Sequence, residues 1–390
     1  MKRLLAFWVC AWVLVAGSLS AASSEWLKEA QSISEGLDDE IARIMNLTEI
    51  ASVWAQKGEA DKALQLLQAV DATLADFEAA DMRIRVLAEM GVVYQKAGAS
   101  ERAEARFKSA QELLTAVEDA DERPWLLGWI SGCAARAGKI ELAQDLSASI
   151  VDPSAAAESR GFIALAKAEA GALSEAITLL ADIDDPAGRG WALADLLEWV
   201  AKQPSVDAEL TAQLRQQTLT AAAAIEDPYG QATIEIRVAR VDAQSGASDK
   251  ALAILKESRA LVGSIPEYYW QIESYGLLAR AYAEAGDRDS ARLAMQSAEA
   301  VVSGLTVPAA RSWNQAEVAV AYAAIGDRET ALERAAGIEW LTAQAWAVAE
   351  VALAAAKAGD SAAAEELVQR IRVPFWRAKA LIQLAELEVN

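Results

Sequence analysis

Apolar positions recur at helical spacing along almost the whole chain. In the clearest stretch, from Gly276 to Ala298, apolar residues lie eight, seven and four positions before Gly286 and five, nine and twelve positions after it. These spacings place one apolar stripe on each of two helices. Gly286 can adopt the backbone angles of a tight turn, and Asp287 is placed to cap the second helix. The stretch predicts an antiparallel helix pair.

The same unit repeats along the chain. Its turn glycine recurs at Gly58, Gly98, Gly138, Gly171, Gly246, Gly286, Gly326 and Gly359, and Pro204 takes the place of one more. The spacings are close to either 40 or 33 residues, a difference of about two helical turns. Such an insertion lengthens helices while the same face stays inward. After 188 residues the order of spacings restarts, which indicates an internal duplication.

The unit resembles the tetratricopeptide repeat, whose helix pairs stack into a right-handed superhelix. The best copy consists of Leu87, Met90, Gly91, Tyr94, Gly98, Ala103, Phe107 and Ala110. Asp242 and Lys167 depart from the pattern, because an aromatic residue usually occupies their position. The resemblance covers about residues 37–390. It implies an all-α fold, a right-handed superhelical solenoid of antiparallel helix pairs, and it specifies no ligand.

Residues 1–22 have the features of a secretory signal: a basic start at Lys2 and Arg3, an apolar run and small residues before Ser23. The apolar run is too short to span a membrane. We therefore expect export to a bacterial periplasm or the extracellular space, and no membrane span in the mature chain. Residues 23–204 form a first block of repeats, and residues 205–390 form a second block continuous with it.

The two ends of the array are expected to act as caps. The segment from Trp26 to Ser32 aligns, at the 188-residue offset, with a second helix around Leu214, so it is interpreted as part of a truncated unit. The last helix, about Phe375 to Leu387, has no partner after it in the sequence and is expected to cap the other end. Between units, Asp-Pro pairs at residues 152–153, 185–186 and 227–228 are expected to cap the helices that follow.

The net charge argues against some classes of partner, and the cysteine content limits the possible disulfides. Removing the signal takes away Lys2 and Arg3 and moves the net charge from −21 to −23. Such an acidic surface argues against nucleic acids and anionic membranes as partners. Cys133 is the only cysteine of the mature chain, so no intramolecular disulfide is possible. It is expected to be a buried small residue; a bridge to another chain is the alternative.

A row of planar N–H donors lies fifteen residues before the turns, and an apolar residue lies six positions before each donor. The donors are Arg43, Arg83, Arg123, Arg189, Gln231, Gln271, Arg311 and Gln344, and Arg377 continues the row in the last helix. Because Arg and Gln interchange, the position needs a donor rather than a charge. We expect these side chains to bind carbonyls at the end of the preceding helix, or an Asp near the joint. A row that binds an anionic polymer is the alternative.

The sequence offers little for catalysis. The chain contains no histidine, which removes the commonest general base and nearly every zinc site. The acidic pair at Asp287 and Asp289 starts like a calcium loop, but Ala291 stands where the next ligand should be. No phosphate-binding glycine loop is present. We therefore expect no cofactor, no metal and no enzymatic activity. A hydrolase that depends on two carboxylates is the weakest alternative.

The resemblance implies a binding groove lined by the first helix of each pair, at positions thirteen, ten, six and two residues before each turn. These positions include Trp125, Trp191, Trp313, Trp346, Arg85, Arg240, Arg280, Lys96 and Arg136. Over all nine turns they hold seven basic and five acidic residues, on a mature chain of net charge −23. The groove would then suit a protein or peptide with an acidic segment, anchored by Trp. Packing between repeats is the alternative role for each Trp.

These observations lead to two main hypotheses on function. The first is an exported scaffold or adaptor that binds another protein or peptide in its groove. The second is a Trp-lined groove that captures a small molecule or a glycan. The sequence does not identify the partner.

Overall fold

The computed structural model describes residues 22–74, 77, 79–203 and 206–389, and within them it contains helices and no strand. Residues 22–35 are helical and form α1. The other helices are α2 (Glu40–Gln56), α3 (Ala60–Leu74), α4 (Ala80–Lys96), α5 (Ser100–Leu113), α6 (Arg123–Arg136), α7 (Ile140–Ala148), α8 (Pro153–Glu169), α9 (Leu173–Ala181), α10 (Pro186–Ala201), α11 (Ala208–Ala222), α12 (Pro228–Gln244), α13 (Ser248–Ser264), α14 (Tyr268–Glu284), α15 (Arg288–Ser303), α16 (Pro308–Ala324), α17 (Arg328–Ala336), α18 (Leu341–Lys357), α19 (Ser361–Arg370) and α20 (Pro374–Leu387). The all-α, tetratricopeptide-like repeat is thus confirmed. The predicted signal sequence lies outside the described residues, apart from Ala22.

Every predicted turn glycine has the left-handed backbone that the pattern requires. The eight glycines have φ between 72° and 92°, and no other described residue has a positive φ. At Gly286 the turn is closed by a hydrogen bond from the Asp287 N–H to the Tyr282 carbonyl, 2.9 Å long. The same bond, from the residue after the glycine to the residue four before it, closes the other seven turns. This is the Schellman arrangement, which satisfies carbonyls at a helix end.

Replacing Gly286 with Ala is expected to lower the free energy of unfolding by about 1–2 kcal/mol, because a Cβ atom is strained in the left-handed region. Gly337→Ala is the matched control. Gly337 also follows a helix, but its φ is −81°. Its substitution should leave stability unchanged or raise it slightly. Urea unfolding followed by circular dichroism measures both variants, and equal losses would contradict the assignment of strain to the turn.

Small residues let the two helices of each pair approach closely. In the pair α14 and α15 these are Ala279 and Ala291, seven residues before and five residues after the turn glycine, with exposed fractions of 0% and 1%. The same two positions are buried in every pair that has a turn glycine. In the pair α4 and α5, Gly91 leaves room for Phe107: a Cβ on Gly91 would lie 2.7 Å from the Phe107 ring. The close contact therefore depends on residue size at these positions.

The two repeat lengths differ in the second helix of the pair. The short repeats have second helices of nine or ten residues, which are α7, α9, α17 and α19. The long repeats have second helices of 14 to 17 residues, which are α3, α5, α11, α13 and α15. The seven-residue insertion lengthens one helix, as the spacing predicts.

The predicted caps between repeats are present. Asp152, Asp185 and Asp227 each accept a hydrogen bond from the backbone N–H three residues on, over 2.7–2.8 Å. A proline follows each of them in the first turn of the helix. Asp287 caps α15 in the same way, through the Ser290 N–H at 3.0 Å. The N–H groups in the first turn of a helix have no acceptor within the helix. Pro has no N–H, so an Asp-Pro pair starts a helix without losing a hydrogen bond.

The described chain divides into two compact units. Unit 1 contains the described residues of 1–78, 93–103 and 341–390, and unit 2 contains 79–92 and 104–340. Within unit 2 the first helices of successive pairs pack side by side in the order α6, α8, α10, α12, α14, α16. The second helices α7, α9, α11, α13 and α15 each pack on their own first helix and on the next one. Pro204 lies outside the described residues, and the division into two blocks there stays a prediction.

Within unit 1 the first and last described helices pack together, which corrects the expectation that they cap opposite ends of the array. Helix α20 lies between α18 and α2, the same side-by-side contact that first helices make in unit 2. Arg377 of α20 donates to Glu29 of α1, and Lys379 donates to Glu49 of α2. Glu388, at the end of α20, is hydrogen-bonded to Ser23 of α1. Helices α20 and α1 thus form a tenth pair, each supplied by one end of the chain.

The two departures from the family pattern are explained by ion pairs. Asp242 of α12 is 4% exposed and accepts bonds from Arg215 of α11, Nε to Oδ1 at 2.7 Å and Nη2 to Oδ2 at 2.6 Å. Lys167 of α8 bonds Glu175 of α9 at 2.7 Å. In each case a charged residue stands where an aromatic residue is usual. Asp242 bonds to the second helix of the preceding pair, and Lys167 bonds to the second helix of its own pair. Among the described helices, none is both long enough and apolar enough to cross a bilayer.

Candidate functional site

Several of the predicted donors bind carbonyls of the preceding segment. Arg43 donates through Nη1 to the Leu37 carbonyl at 3.0 Å, and Arg123 donates through Nε and Nη2 to the Val117 carbonyl at 2.9 and 2.7 Å. Gln271 donates to carbonyls in the last turn of α13, at 3.2 Å. In the two arginines the acceptor belongs to the apolar residue six positions earlier. These hydrogen bonds connect the segment between two helix pairs to the first helix of the next pair.

The other donors have different partners. Gln231 bonds Glu235 of its own helix at 2.9 Å, Arg311 lies 3.7 Å from Glu339, and Arg377 bonds Glu29 and Gln369. The Nε atom of Arg83 is buried and has no acceptor among the residues that the structure describes. Arg189 lines a cavity of about 510 Å³ between α9, α10 and α11, and Gln344 is half-buried in α18. Binding to carbonyls of the preceding segment is thus seen for three members of the row, Arg43, Arg123 and Gln271.

The basic residues of the predicted groove make ion pairs and other polar contacts with neighbouring residues of the protein. Arg136 bonds Glu89 at 2.6 Å, while Arg240 and Arg280 share Glu284 at 3.1 and 2.9 Å. Arg85 lies 3.8 Å from Glu122, with its guanidinium 5.6 Å from the centre of the Trp129 ring. In unit 1, Lys96 donates to Ser52 at 3.5 Å. The basic excess that suggested an acidic partner is therefore largely compensated inside the molecule.

The acidity of Glu284 reflects this compensation. Burial alone would raise the pKa of its carboxyl group. The hydrogen bonds and charges of Arg240 and Arg280 outweigh burial and bring the pKa below its ordinary value. The carboxylate thus stays ionised between its two arginines.

The structure places two of the four predicted Trp residues around one cavity. Trp125 of α6 is 44% exposed and Trp191 of α10 is half-buried, and both line a cavity of about 410 Å³. Trp313 is half-buried in α16 of unit 2. Trp346 lies in unit 1, where its ring centre is 6.5 Å from that of Trp376. Of the four, Trp125 and Trp191 thus share one cavity.

An aromatic surface extends across neighbouring first helices of unit 2. We define it by Trp125, Trp191, Tyr229, Tyr269 and Trp270. Ring centres are 6.3 Å apart between Trp191 and Tyr229 and 4.6 Å apart between Tyr229 and Trp270, and Tyr269 meets Trp270 edge-on at 4.9 Å. Tyr269 and Trp270 are 43% and 40% exposed. These aromatic residues lie in the first or second turn of their helices.

The sequence carried a signal for the residues that the groove positions missed. Tyr229 and Tyr269 lie seventeen residues before their turn, Trp125 and Trp191 lie thirteen before, and Asp195 lies nine before. These offsets differ by four, so they share one helix face. The family positions begin at thirteen residues before the turn, so they include Trp125 and Trp191 but not the tyrosines at seventeen. A scan at intervals of four would have added Tyr229 and Tyr269.

Carboxylates lie among the aromatic rings. The Tyr229 hydroxyl donates to Glu273 Oε2 over 3.4 Å. Burial raises the pKa of Glu273 above its ordinary value, although the hydrogen bond from Tyr229 acts in the opposite direction. Burial and the neighbouring Glu273 charge raise the pKa of Tyr229, so its hydroxyl stays protonated. The surface therefore combines apolar rings with negative charge.

The cavity between Trp125 and Trp191 lies at one end of this surface, and we name it the Trp pocket. Its side walls include Phe162, and small residues such as Gly161, Gly188 and Ala192 form other parts of the lining. Its charged lining residues are Glu158, Asp185 and Asp195, with no Lys or Arg among the described lining residues. The volume falls in the range of small-ligand sites.

Cys133 is 1% exposed, as the sequence predicts. Its Sγ atom lies 3.0 Å from Arg136 Nη2 and 3.6 Å from Glu89 Oε1. Burial, followed by the negative charge of Glu89, raises the pKa of the thiol far above its ordinary value. The thiol therefore stays protonated and packed inside unit 2. In the described residues, no group of three His, Cys, Asp or Glu is placed to hold a metal ion.

Comparisons with known proteins add only weak similarities. No protein-family model and no curated protein matches the chain. Ton1535 from Thermococcus onnurineus NA1 is 14% identical with a TM-score of 0.33, covering 92% of this chain and 94% of its own. A signal-transduction ATPase with a tetratricopeptide repeat sensor, PH0952 from Pyrococcus horikoshii, is 14% identical with a TM-score of 0.34, and the match spans 87% of this chain but 63% of that one. A circular tandem repeat protein is 14% identical with a TM-score of 0.26 over 97% of this chain. Such scores carry no conclusion on function.

Proposed function

We propose that the protein is an exported, non-catalytic scaffold or adaptor that binds another protein or peptide on the aromatic surface of unit 2. The exposed rings of Tyr269 and Trp270 beside Tyr229 carry this proposal. Exposed aromatic residues grouped on a rigid surface are the commonest anchors of protein interfaces. The absence of histidine from the sequence supports a binding role over a catalytic one. The contacts of the basic groove residues give no support to an acidic partner.

Replacing Tyr269 and Trp270 together with Ala is expected to weaken the partner complex at least 30-fold, corresponding to about 2 kcal/mol for a central aromatic anchor. The measurement uses mature protein, residues 23–390, cross-linked to its partner in the envelope or secreted fraction of its source. The captured protein is then purified and its affinity is determined for each variant.

Trp340→Ala is the matched control, because Trp340 is 46% exposed and lies outside the aromatic surface. The control should bind like the unchanged protein. A partner that binds the double variant equally well would place the interface elsewhere. Capture of no protein at stoichiometric level would count against the scaffold itself.

The Trp pocket favours a second candidate function, capture of a small molecule or glycan. Its volume of about 410 Å³ and its Trp125 and Trp191 walls support this alternative. Binding of such a ligand would change Trp fluorescence, and Trp125→Ala would remove the change. Trp313→Ala is the comparison, because Trp313 lies in α16 and does not line the pocket.

A further inference from the structure

The Trp pocket has the composition of a site for a positively charged organic group. Its lining brings together two Trp rings, one Phe ring and three carboxylates from α8, α10 and the turn before α10. Aromatic faces attract ammonium and guanidinium groups, most strongly when the ring is Trp. Nearby carboxylates add a full negative charge to the partial charge of the ring faces. An anionic ligand would meet only repulsion from these carboxylates.

The three carboxylates differ in whether they already bind other groups of the protein. Asp185 caps α10 by accepting from the Gly188 N–H at 2.8 Å. Asp195 is paired with Arg237 at 2.6 Å. Glu158 makes no hydrogen bond or ion pair within the part of the chain that the structure describes. Glu158 is therefore the carboxylate available to a ligand in the pocket.

The electrostatics around Glu158 agree with this assignment. Burial is the largest influence on Glu158 and raises its pKa. The positive charge of Arg85 comes next and lowers it, and the negative charge of Asp195 raises it to a smaller extent. Burial thus disfavours the charge of Glu158, and a bound cation would offset this cost. The side chain remains exposed to solvent, so an incoming group can reach it.

Trp191 already holds one cation in the structure. The Arg237 guanidinium lies 5.9 Å from the centre of the Trp191 ring and bonds Asp195 and Glu198 at 2.6 and 2.8 Å. The molecule therefore places a guanidinium against this Trp with carboxylates beside it. The pocket repeats the combination with Trp125 and Glu158.

We propose that the Trp pocket binds an organic cation, a guanidinium or ammonium group on an apolar chain, between Trp125 and Trp191 with Glu158 as its counter-ion. The cation is an Arg or Lys side chain of the bound protein segment, and this assignment of its source rests on the proposed function. A free small cation has the same chemistry and is distinguished by the experiment.

The test titrates the mature protein with short peptides capped at both ends, followed by Trp fluorescence and calorimetry. One peptide carries a single Arg, and a second carries citrulline, which has the same shape without the charge. Agmatine serves as the free guanidinium probe. We expect the Arg peptide to bind at least about tenfold more tightly than the citrulline peptide, since a desolvated cation–π contact and a carboxylate together give about this discrimination.

Two variants locate the binding. Glu158→Gln is expected to lower the affinity for the Arg peptide about tenfold and to leave citrulline binding unchanged. Glu141→Gln is the matched control, because Glu141 is exposed on α7 and does not line the pocket. Circular dichroism and thermal unfolding confirm that each variant is folded.

Each outcome decides a separate point. Equal affinity for Arg and citrulline, no effect of Glu158→Gln, or no binding at millimolar concentration would overturn the cation site. Binding of agmatine but not of the Arg peptide would keep the cation site and contradict a protein segment as the source. A protein partner whose complex is lost with Tyr269 and Trp270, but is unaffected by Glu158→Gln, would support the proposed function and refute the role of the pocket in it.

Discussion

Arg215→Ala is expected to lower the free energy of unfolding by about 3–5 kcal/mol, because it leaves a buried carboxylate without its partner. Asp242 is 4% exposed, and Arg215 is its bidentate partner from the neighbouring helix. The side chain of Arg215 is itself only 22% exposed. Chemical unfolding monitored by circular dichroism measures the effect.

Lys167→Ala is the matched control for this prediction. Lys167 pairs with Glu175 in the corresponding position of another repeat, but Glu175 is 67% exposed. Loss of this pair should cost much less stability, because water screens the charge of an exposed carboxylate. A second control replaces Arg215 with Leu and Asp242 with Tyr, which restores the usual aromatic residue and should recover most of the lost stability. Similar losses for Arg215→Ala and Lys167→Ala would show that burial of Asp242 has no special cost.

Ending the chain after Arg372, which removes α20, is expected to have the largest effect of all. Helix α20 buries Leu381, Ile382 and Leu384 to 2% exposure, and it contacts α18 and α2. Replacing Leu381 alone with Ala should cost about 2–5 kcal/mol. Loss of the whole helix removes several such contacts and also the bonds of Arg377 and Lys379. We expect the truncated protein to unfold at a much lower temperature or to aggregate.

A circular permutant tests whether stability depends on the contacts of α20 or on the position of the chain ends. A short linker joins residue 389 to residue 23, and the chain is opened at Val151, which is 87% exposed. Because Glu388 is already hydrogen-bonded to Ser23, the linker spans a short distance. The permutant should retain the melting temperature of the unchanged protein within a few degrees. A truncated protein as stable as the full chain would show that the tenth pair is dispensable.

The sequence predicts the helix pairs well, because their determinants are local. Gly286 has the required positive φ, Ala279 and Ala291 are buried where the helices meet, and Asp152 caps α8. Each of these features depends on residues within about one repeat of each other. The period of the apolar stripe therefore carries enough information for the pairs and for the length of their second helices.

The remaining features depend on contacts between repeats, which the period does not encode. Arg136 pairs with Glu89, which lies 47 residues earlier, and Arg240 pairs with Glu284, which lies 44 residues later. The count of groove charges included Glu284 but not Glu89, so it overstated the basic character of the surface. The groove positions missed Tyr229 and Tyr269 for a geometric reason, since both lie one helical turn before the first family position on the same helix face.

The tenth pair has a consequence for the order of folding events. Glu29 and Arg377 are separated by 348 residues, whereas the helices of the eight pairs with a turn glycine are joined by a short turn. A contact between segments so distant along the chain must overcome a larger loss of chain entropy, and such contacts slow folding. Pairs of adjacent helices can form during synthesis, but α1 cannot pair with α20 until that distant segment has been made. The pair of α1 and α20 is therefore expected to form after the pairs that lie between them in the sequence.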